Sequence, residues 1–140
     1  MNSLHIFTPV FAMLLLVCIV GVRTYQERAR QFRAMRLHPQ KASTRKDFAA
    51  AMQDTRSSDN LQNLFETPVL FYVACIGLYA TQSVSLVAVA AAWGFVVLRY
   101  AHSYVHCGSN TVMTRFKLFF ASALAILALW LTWGFALLSK

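Results

Sequence analysis

The sequence has little charge and lacks several features of soluble proteins. Of its 140 residues, 13% are charged and 58% are hydrophobic, which is too apolar for an ordinary soluble domain of this size. Alternating apolar and polar patterning is absent, which argues against a transmembrane β-barrel. The cysteines, Cys18, Cys75 and Cys107, are odd in number and widely spaced, so they form no disulfide framework and no C-x-x-C redox pair. We interpret them as small packing residues in a protein whose solvent is lipid.

Four apolar runs cover most of the chain, at approximately 5–23, 62–81, 84–106 and 115–138. A helix needs about 20 residues to cross a hydrocarbon core of about 30 Å. Because every backbone amide in lipid must be hydrogen-bonded within its own segment, the runs predict an all-α, integral membrane four-helix bundle forming one domain over residues 1–140. No Lys or Arg precedes the first run, so we interpret it as a membrane span rather than a signal peptide.

The basic residues are concentrated in two connections. Three lie at the junction of the third and fourth runs, and the turn near Gln82 has none. The positive-inside rule predicts that both basic connections are cytoplasmic and that both termini, up to Lys140, lie on the other side. We expect a bacterial cytoplasmic membrane, with topology setting and attraction to anionic lipid as the simplest role of most of these cations. Nine of the thirteen Lys and Arg residues lie in the first connection: Arg23, Arg28, Arg30, Arg33, Arg36, Lys41, Arg45, Lys46 and Arg56.

The first connection, approximately 24–61, is long and rich in helix-forming residues. Its second part reads KDFAAAMQDTRSSDNLQNLFE, in which polar residues separate five large apolar side chains. This pattern predicts a partly amphipathic helix or helical hairpin that runs into the second span. The apolar residues are Phe48, Met52, Leu61, Leu64 and Phe65.

Polar residues at the start of the second span need an explanation. Asn60, Asn63 and Glu66 are spaced three apart, which predicts one polar helical face. Pro68 follows, and it removes the hydrogen bond to the Leu64 carbonyl, which kinks a helix. An ionisable residue within a span is costly, so it usually faces the bundle interior and has a partner.

A second polar face ends the third span. Arg99, His102 and His106 fall at i, i+3 and i+7, and Arg115 opens the fourth span at the same depth. The simplest pairing is a salt bridge between Glu66 and Arg99, and the simplest role for the histidines is snorkelling at the interface. A His-x-x-x-His zinc site lacks a third and fourth ligand, so we expect no metal.

Together these motifs resemble the MAPEG superfamily, the membrane-associated proteins in eicosanoid and glutathione metabolism. The resemblance lies in an N-x-x-E motif entering the second span (Asn63, Glu66), an R-x-x-H motif ending the third (Arg99, His102), and Arg115 nine residues after His106. It implies a homotrimer of four-helix protomers that binds glutathione between adjacent subunits near the cytosolic face.

The resemblance also implies a role for each matching residue. Asn63 and Glu66 match positions that hold the backbone and amino end of glutathione, and His102 matches a ligand-binding residue of the third helix. Arg115 matches the arginine that holds the thiol as a thiolate. Arg23 approximates a first-helix arginine that contacts a carboxylate.

This chain departs from the family pattern at three positions. Gln62 and Asp59 stand where the better-known enzymes have arginines, and His106 stands where they have a tyrosine. Arg56 is a candidate for a replacement cation. Each lost charge-assisted hydrogen bond removes about 1.5–3 kcal/mol of binding free energy.

The leading functional prediction is a glutathione-dependent transferase or peroxidase for lipophilic electrophiles, with Arg115 as the catalytic residue. Arg23, Asn63, Glu66, Arg99, His102 and His106 would then bind glutathione. The expected partners are membrane lipid, further copies of the chain and a lipophilic small molecule, without nucleic acid. The alternative is a non-catalytic binding or scaffold protein in which the polar residues tie helices together or hold a lipid.

Overall fold

A computed structural model describes residues 2–36, 38, 40 and 44–139, apart from the side chains of residues 45, 48 and 49. Lys41, Lys140 and the Phe48 side chain therefore lie outside the described residues. In the described part all regular structure is helical, which confirms the all-α prediction. A 3-10 turn at Ser3–Ile6 is followed by α1 (Phe7–Ala34), α2 (Arg45–Ala51), α3 (Arg56–Glu66), α4 (Pro68–Ala80), α5 (Leu86–Cys107) and α6 (Val112–Leu138).

Among the described residues, four segments are long and apolar enough to cross a membrane, as the hydrophobic runs predicted. They are Ser3–Ala34, Arg56–Ala80, Leu86–Cys107 and Val112–Leu138. The second segment consists of α3 and α4, which meet at Thr67, the residue before Pro68. A break at this point is expected because the proline ring has no N–H to continue the helical ladder.

The long basic connection is helical over much of its described part, and α2 and α3 confirm the helix or helical hairpin predicted for its second part. α1 continues past the predicted end of the first span to Ala34, and α3 begins at Arg56, inside the predicted connection. The residues after Arg23 include neither glycine nor proline up to Ala34. The apolar run therefore ends before the helix does, because the polar residues after Arg23 continue α1 to Ala34.

Aromatic rings and one small residue join the helices. Phe71 of α4 stacks on Phe95 of α5 with ring centroids 4.7 Å apart. Gly77 of α4 lies against the indole of Trp133 in α6, and a Cβ added at Gly77 would lie 2.2 Å from a Trp133 ring carbon. Small residues at helix interfaces are typical of membrane bundles.

The cysteines occupy two different environments. Cys75 and Cys107 are buried, as packing residues should be, and all three thiols are free. The same prediction is wrong for Cys18, which is exposed on α1. Its neighbours Leu15 and Ile19 are also exposed, so Cys18 belongs to an apolar surface suited to lipid contact.

Candidate functional site

One pocket, with a volume of about 200 Å³, brings together side chains from α3, α5 and α6. α3 contributes an amide, α5 contributes two imidazoles one turn apart, and the first turns of α6 contribute a guanidinium and an apolar wall. Four of the predicted site residues therefore share one cavity. The lining residues are Asn63, His102, His106, Val112, Arg115, Phe116 and Phe119.

Arg115 is oriented by a residue that the sequence analysis did not single out. Its Nη1 donates to Oδ1 of Asn110, in the turn between α5 and α6. Asn110 has φ 54°, a left-handed conformation that asparagine tolerates better than most residues, and its own N–H donates to the Val105 carbonyl at 2.8 Å. The Nε of Arg115 is buried and has no hydrogen-bond partner among the described residues, so Arg115 keeps a free donor.

The two histidines face inward. His102 and His106 are buried, with relative exposures of 3% and 5%, which shows that the snorkelling interpretation was wrong. Their rings meet edge to face with centroids 5.4 Å apart, and His102 also contacts the ring of Phe119. In both, Nδ1 is buried without a hydrogen-bond partner in the described part of the chain. The described residues contain no cluster of three His, Cys, Asp or Glu side chains suited to a metal ion.

Arg99 pairs with Asn63, and the predicted salt bridge with Glu66 is wrong. Nη2 of Arg99 donates to the Asn63 carbonyl oxygen at 3.1 Å and also to Oδ1 of the same residue. Glu66 is exposed and accepts a hydrogen bond of 2.7 Å from Nε2 of Gln62. Arg99 is completely buried and does not line the pocket, so any effect it has on a ligand passes through its neighbours.

Helical geometry explains why Glu66 leaves the polar face. A step of three residues turns a helix by about 300°, which falls about 60° short of a full turn. From Asn60 to Glu66 the shortfall reaches about 120°. Asn60 is therefore fully buried, where it accepts from Ser103 and donates to the Cys107 sulfur, whereas Glu66 faces outward.

Two predicted or candidate ligand-binding arginines lie outside the pocket and bind the end of α5. Arg23 donates to the Cys107 carbonyl at 2.7 Å and pairs with Glu27. Arg56 donates to the Gly108 carbonyl at 2.6 Å and pairs with Asp54. Free carbonyls at a helix C-terminus attract cations, which accounts for both contacts.

Comparison with known sequences decides the family. The sequence model of the MAPEG family matches residues 6–135, nearly the whole chain. The chain belongs to the MAPEG family. No curated protein and no solved structure matches it. For a MAPEG protein, the pocket formed by α3, α5 and α6 is the natural candidate site, because it contains Asn63, His102 and Arg115 from the motifs that carry the resemblance.

The donor set of this MAPEG pocket fits glutathione in chemistry. Glutathione carries carboxylates, amide carbonyls and a thiol, and the pocket offers the guanidinium of Arg115 and the amide of Asn63. The unpartnered Nε of Arg115 is a donor that an anionic acceptor would satisfy. The volume of about 200 Å³ lies below the range of about 300–1,000 Å³ usual for drug-sized ligands, so a ligand of that size would extend beyond this pocket.

Sequence reasoning missed four residues of the site. Asn110 carries a signal that could have found it, because Asn in a short turn after Gly108 is typical of a left-handed position. Val112, Phe116 and Phe119 look like ordinary apolar residues of a membrane span. Only the rotation of α6 relative to α5 shows that they form a wall of the pocket.

Proposed function

We propose that the protein is a glutathione-dependent transferase or peroxidase that acts on lipophilic electrophiles in the membrane. The observation that carries this proposal is the convergence of Arg115, Asn63, His102 and His106 on one pocket from three helices. These side chains can donate hydrogen bonds to an acceptor-rich ligand. The pocket also has an outward-facing apolar side, since Phe116 is 62% exposed.

Bound glutathione supplies the nucleophilic thiol, and the residues of this chain bind and activate it. A cysteine thiol has a pKa of about 8.5, which a fixed cation lowers. Arg115 is placed for this role because it lines the pocket and Asn110 fixes its guanidinium. Asn63 donates to a carbonyl or carboxylate oxygen of the ligand. Phe116 and Phe119 give an apolar electrophile a surface next to the thiolate.

The proposal includes a homotrimer whose neighbouring subunits complete the site. The small volume of the pocket supports it, because a tripeptide needs more space than this pocket alone provides. It also includes a cytoplasmic location for the pocket and the basic connections, with both termini on the opposite side. Light scattering of the protein in detergent and the accessibility of a cysteine introduced at Ser83, in the α4–α5 turn, test these two points.

Replacement of Arg115 by alanine tests the catalytic role. We expect the rate of glutathione conjugation to a lipophilic electrophile to fall about 10²–10³-fold, the usual loss when one donor to a developing anion is removed. The matched control is Lys117→Ala, which removes one positive charge two residues further along α6 and outside the pocket. Equal rates in Arg115→Ala and the wild type would disprove the role of Arg115.

A direct binding measurement tests the wider proposal. Isothermal titration and thermal unfolding in detergent should show heat of binding and stabilisation at millimolar glutathione. Absence of both effects would exclude a glutathione enzyme.

A non-catalytic scaffold is the second candidate, and specific contacts favour it. Arg99 binds Asn63, Asn60 binds Ser103, and Arg23 binds the Cys107 carbonyl, so much of the polar layer joins helices. This function predicts that Arg115→Ala leaves cellular function intact. The free donor of Arg115 and the lining of the pocket favour the enzyme.

A further inference from the structure

We infer that Arg99 is a positioning residue that fixes the amide of Asn63 with its NH₂ group turned to the pocket, so that this point of the site selects a carboxylate or carbonyl oxygen. The inference rests on the proposed function, because it concerns how the same pocket recognises its ligand. It gives Arg99 a role through Asn63, without contact between Arg99 and the ligand.

The orientation of Asn63 follows from hydrogen-bond chemistry. A guanidinium has only donors, so the side-chain atom of Asn63 that it contacts must be the oxygen. The NH₂ group is then the end of the amide that remains for another partner. Since the Asn63 side chain lines the pocket, it presents N–H donors to a ligand there. A ligand group that only donates, such as an ammonium, cannot bind those donors.

Arg99 is held firmly enough to fix this orientation. It is completely buried, and its guanidinium carbon lies 5.9 Å from the ring centroid of Phe95 and 5.7 Å from that of Phe119. Its second hydrogen bond, to the Asn63 backbone carbonyl, joins it to the main chain of α3. Both oxygens of Asn63 are therefore held by one nitrogen whose own position is set by two aromatic rings.

The charge of Arg99 acts in the same direction as the orientation of the amide. The ion pairs found among the described residues join Arg23 to Glu27 and Arg56 to Asp54, and neither includes Arg99. A buried guanidinium that no carboxylate neutralises raises the electrostatic potential around it, most strongly where water is excluded. An anionic group beside Asn63 is therefore favoured by both the donor and the field.

The substitution Asn63→Asp separates the positioning role from a structural one. It keeps the shape of the side chain and gives Arg99 a carboxylate partner, so we expect an unfolding temperature without ligand equal to or above that of the wild type. The pocket loses its N–H donors, so we expect the Kd for glutathione to rise at least about tenfold. The control is Gln53→Glu, an equivalent change of charge on an exposed residue between α2 and α3 and outside the pocket, with an unchanged Kd.

Kinetics give a readout that a purely structural residue would not affect. With 1-chloro-2,4-dinitrobenzene as the probe electrophile, Asn63→Asp should raise KM for glutathione and leave kcat at saturation close to the wild-type value. Arg99→Met should raise the Kd and lower the unfolding temperature. If Arg99→Met does not fold, Asn63→Asp decides alone.

Two results would overturn the inference: an unchanged Kd in Asn63→Asp, or an unfolding temperature of that variant below the wild type. Failure of the wild type to bind glutathione is a different result, because it removes the proposed function. The unfolding temperature of ligand-free Asn63→Asp still tests the contact in that case. A fall refutes the fixed amide, and an equal or higher value supports it.

Discussion

Arg56 joins the start of α3 to the end of α5, because its Nη1 donates a hydrogen bond of 2.6 Å to the carbonyl oxygen of Gly108. The same guanidinium donates to both carboxylate oxygens of Asp54, from Nε to Oδ1 and from Nη2 to Oδ2. Arg23 reaches the preceding carbonyl, that of Cys107, from α1. Arg23 and Arg56 therefore have two roles. They contribute to the positive charge that orients the chain in the membrane, and they cap the C-terminal end of α5, the helix that carries His102 and His106.

The Asp54–Arg56 pair predicts a specific dependence of stability on pH. The hydrogen bond from Arg56 lowers the pKa of Asp54 from 3.8 to about 2. A carboxyl whose pKa is lower in the folded state stabilises the fold above the unfolded pKa, and this contribution disappears as the pH falls through the folded pKa. We expect Asp54→Asn to unfold at a lower temperature than the wild type at neutral pH, and the difference to close between about pH 4 and pH 2.

Thermal unfolding in a non-ionic detergent measures this difference. Asp47→Asn is the control, because it removes a carboxylate whose partner among the described side chains is the hydroxyl of Thr44. A gap between Asp54→Asn and the wild type that stays constant down to pH 2 would contradict the prediction.

Gln31 holds the connection against α1 through three hydrogen bonds. Its Oε1 accepts from the backbone N–H groups of Gln53 and Asp54 at 3.0 and 3.1 Å, and its Nε2 donates to the Asp54 carbonyl at 2.8 Å. We expect Gln31→Ala to speed proteolytic cleavage near residue 53 by roughly fivefold or more, because each hydrogen bond is worth about 1 kcal/mol. Gln31→Glu keeps the two acceptor contacts and should fall between Gln31→Ala and the wild type. Identical cleavage rates in all three proteins would show that the segment is held by other contacts.

Hydrophobic runs and helical spacing predicted much of the fold and part of the site. The length of each run is set by the bilayer, so four spans could be counted from the sequence. His102 and His106 share a face because they are four residues apart, and their depth matches that of Arg115 at the start of α6. These relations are local, and the structure places all three side chains in one pocket.

Relations between helices could not be predicted in the same way. The sequence gives the faces of α3 and α5 but not their rotation relative to each other, and this rotation decides that Arg99 meets Asn63 rather than Glu66. The family resemblance assigned Arg23 to a ligand carboxylate, which stays a prediction, and spacing did not show that Arg23 also donates to the Cys107 carbonyl. Whether a cation at a helix end binds a backbone carbonyl or a ligand depends on distances between helices, and the spacing of residues in the sequence does not give those distances.

Substitution of glycine by alanine should have different effects at Gly77 and at Gly94. A methyl group at Gly77 would overlap the Trp133 ring, so we expect Gly77→Ala to destabilise the protein by about 1–3 kcal/mol, the usual cost of overpacking. At Gly94, an added Cβ meets nothing within 4 Å, so Gly94→Ala should be neutral or stabilise the protein by up to about 1 kcal/mol. Unfolding of both variants measures the difference.

A double substitution tests the assigned cause. When Trp133→Ala is combined with Gly77→Ala, the clash is gone. The double variant should therefore lose less free energy of unfolding than the two single variants lose together. Full additivity would mean that the ring of Trp133 is not what excludes a side chain at position 77.

Substitutions at Asn110 should alter the activation of a bound thiol without changing Arg115 itself. Its Oδ1 accepts from Arg115, and its φ of 54° favours asparagine or glycine. Asn110→Gly keeps the turn and releases the guanidinium, so we expect stability close to that of the wild type and weaker activation. Asn110→Asp keeps the contact but partly neutralises the cation, so the pKa of the bound glutathione thiol should rise by up to about one unit. Ultraviolet absorbance of the thiolate across a pH titration measures this pKa. A thiol pKa that is the same in Asn110→Asp and the wild type would mean that the cation paired with Asn110 does not stabilise the thiolate, and the catalytic role would then have to be assigned to another residue of the pocket.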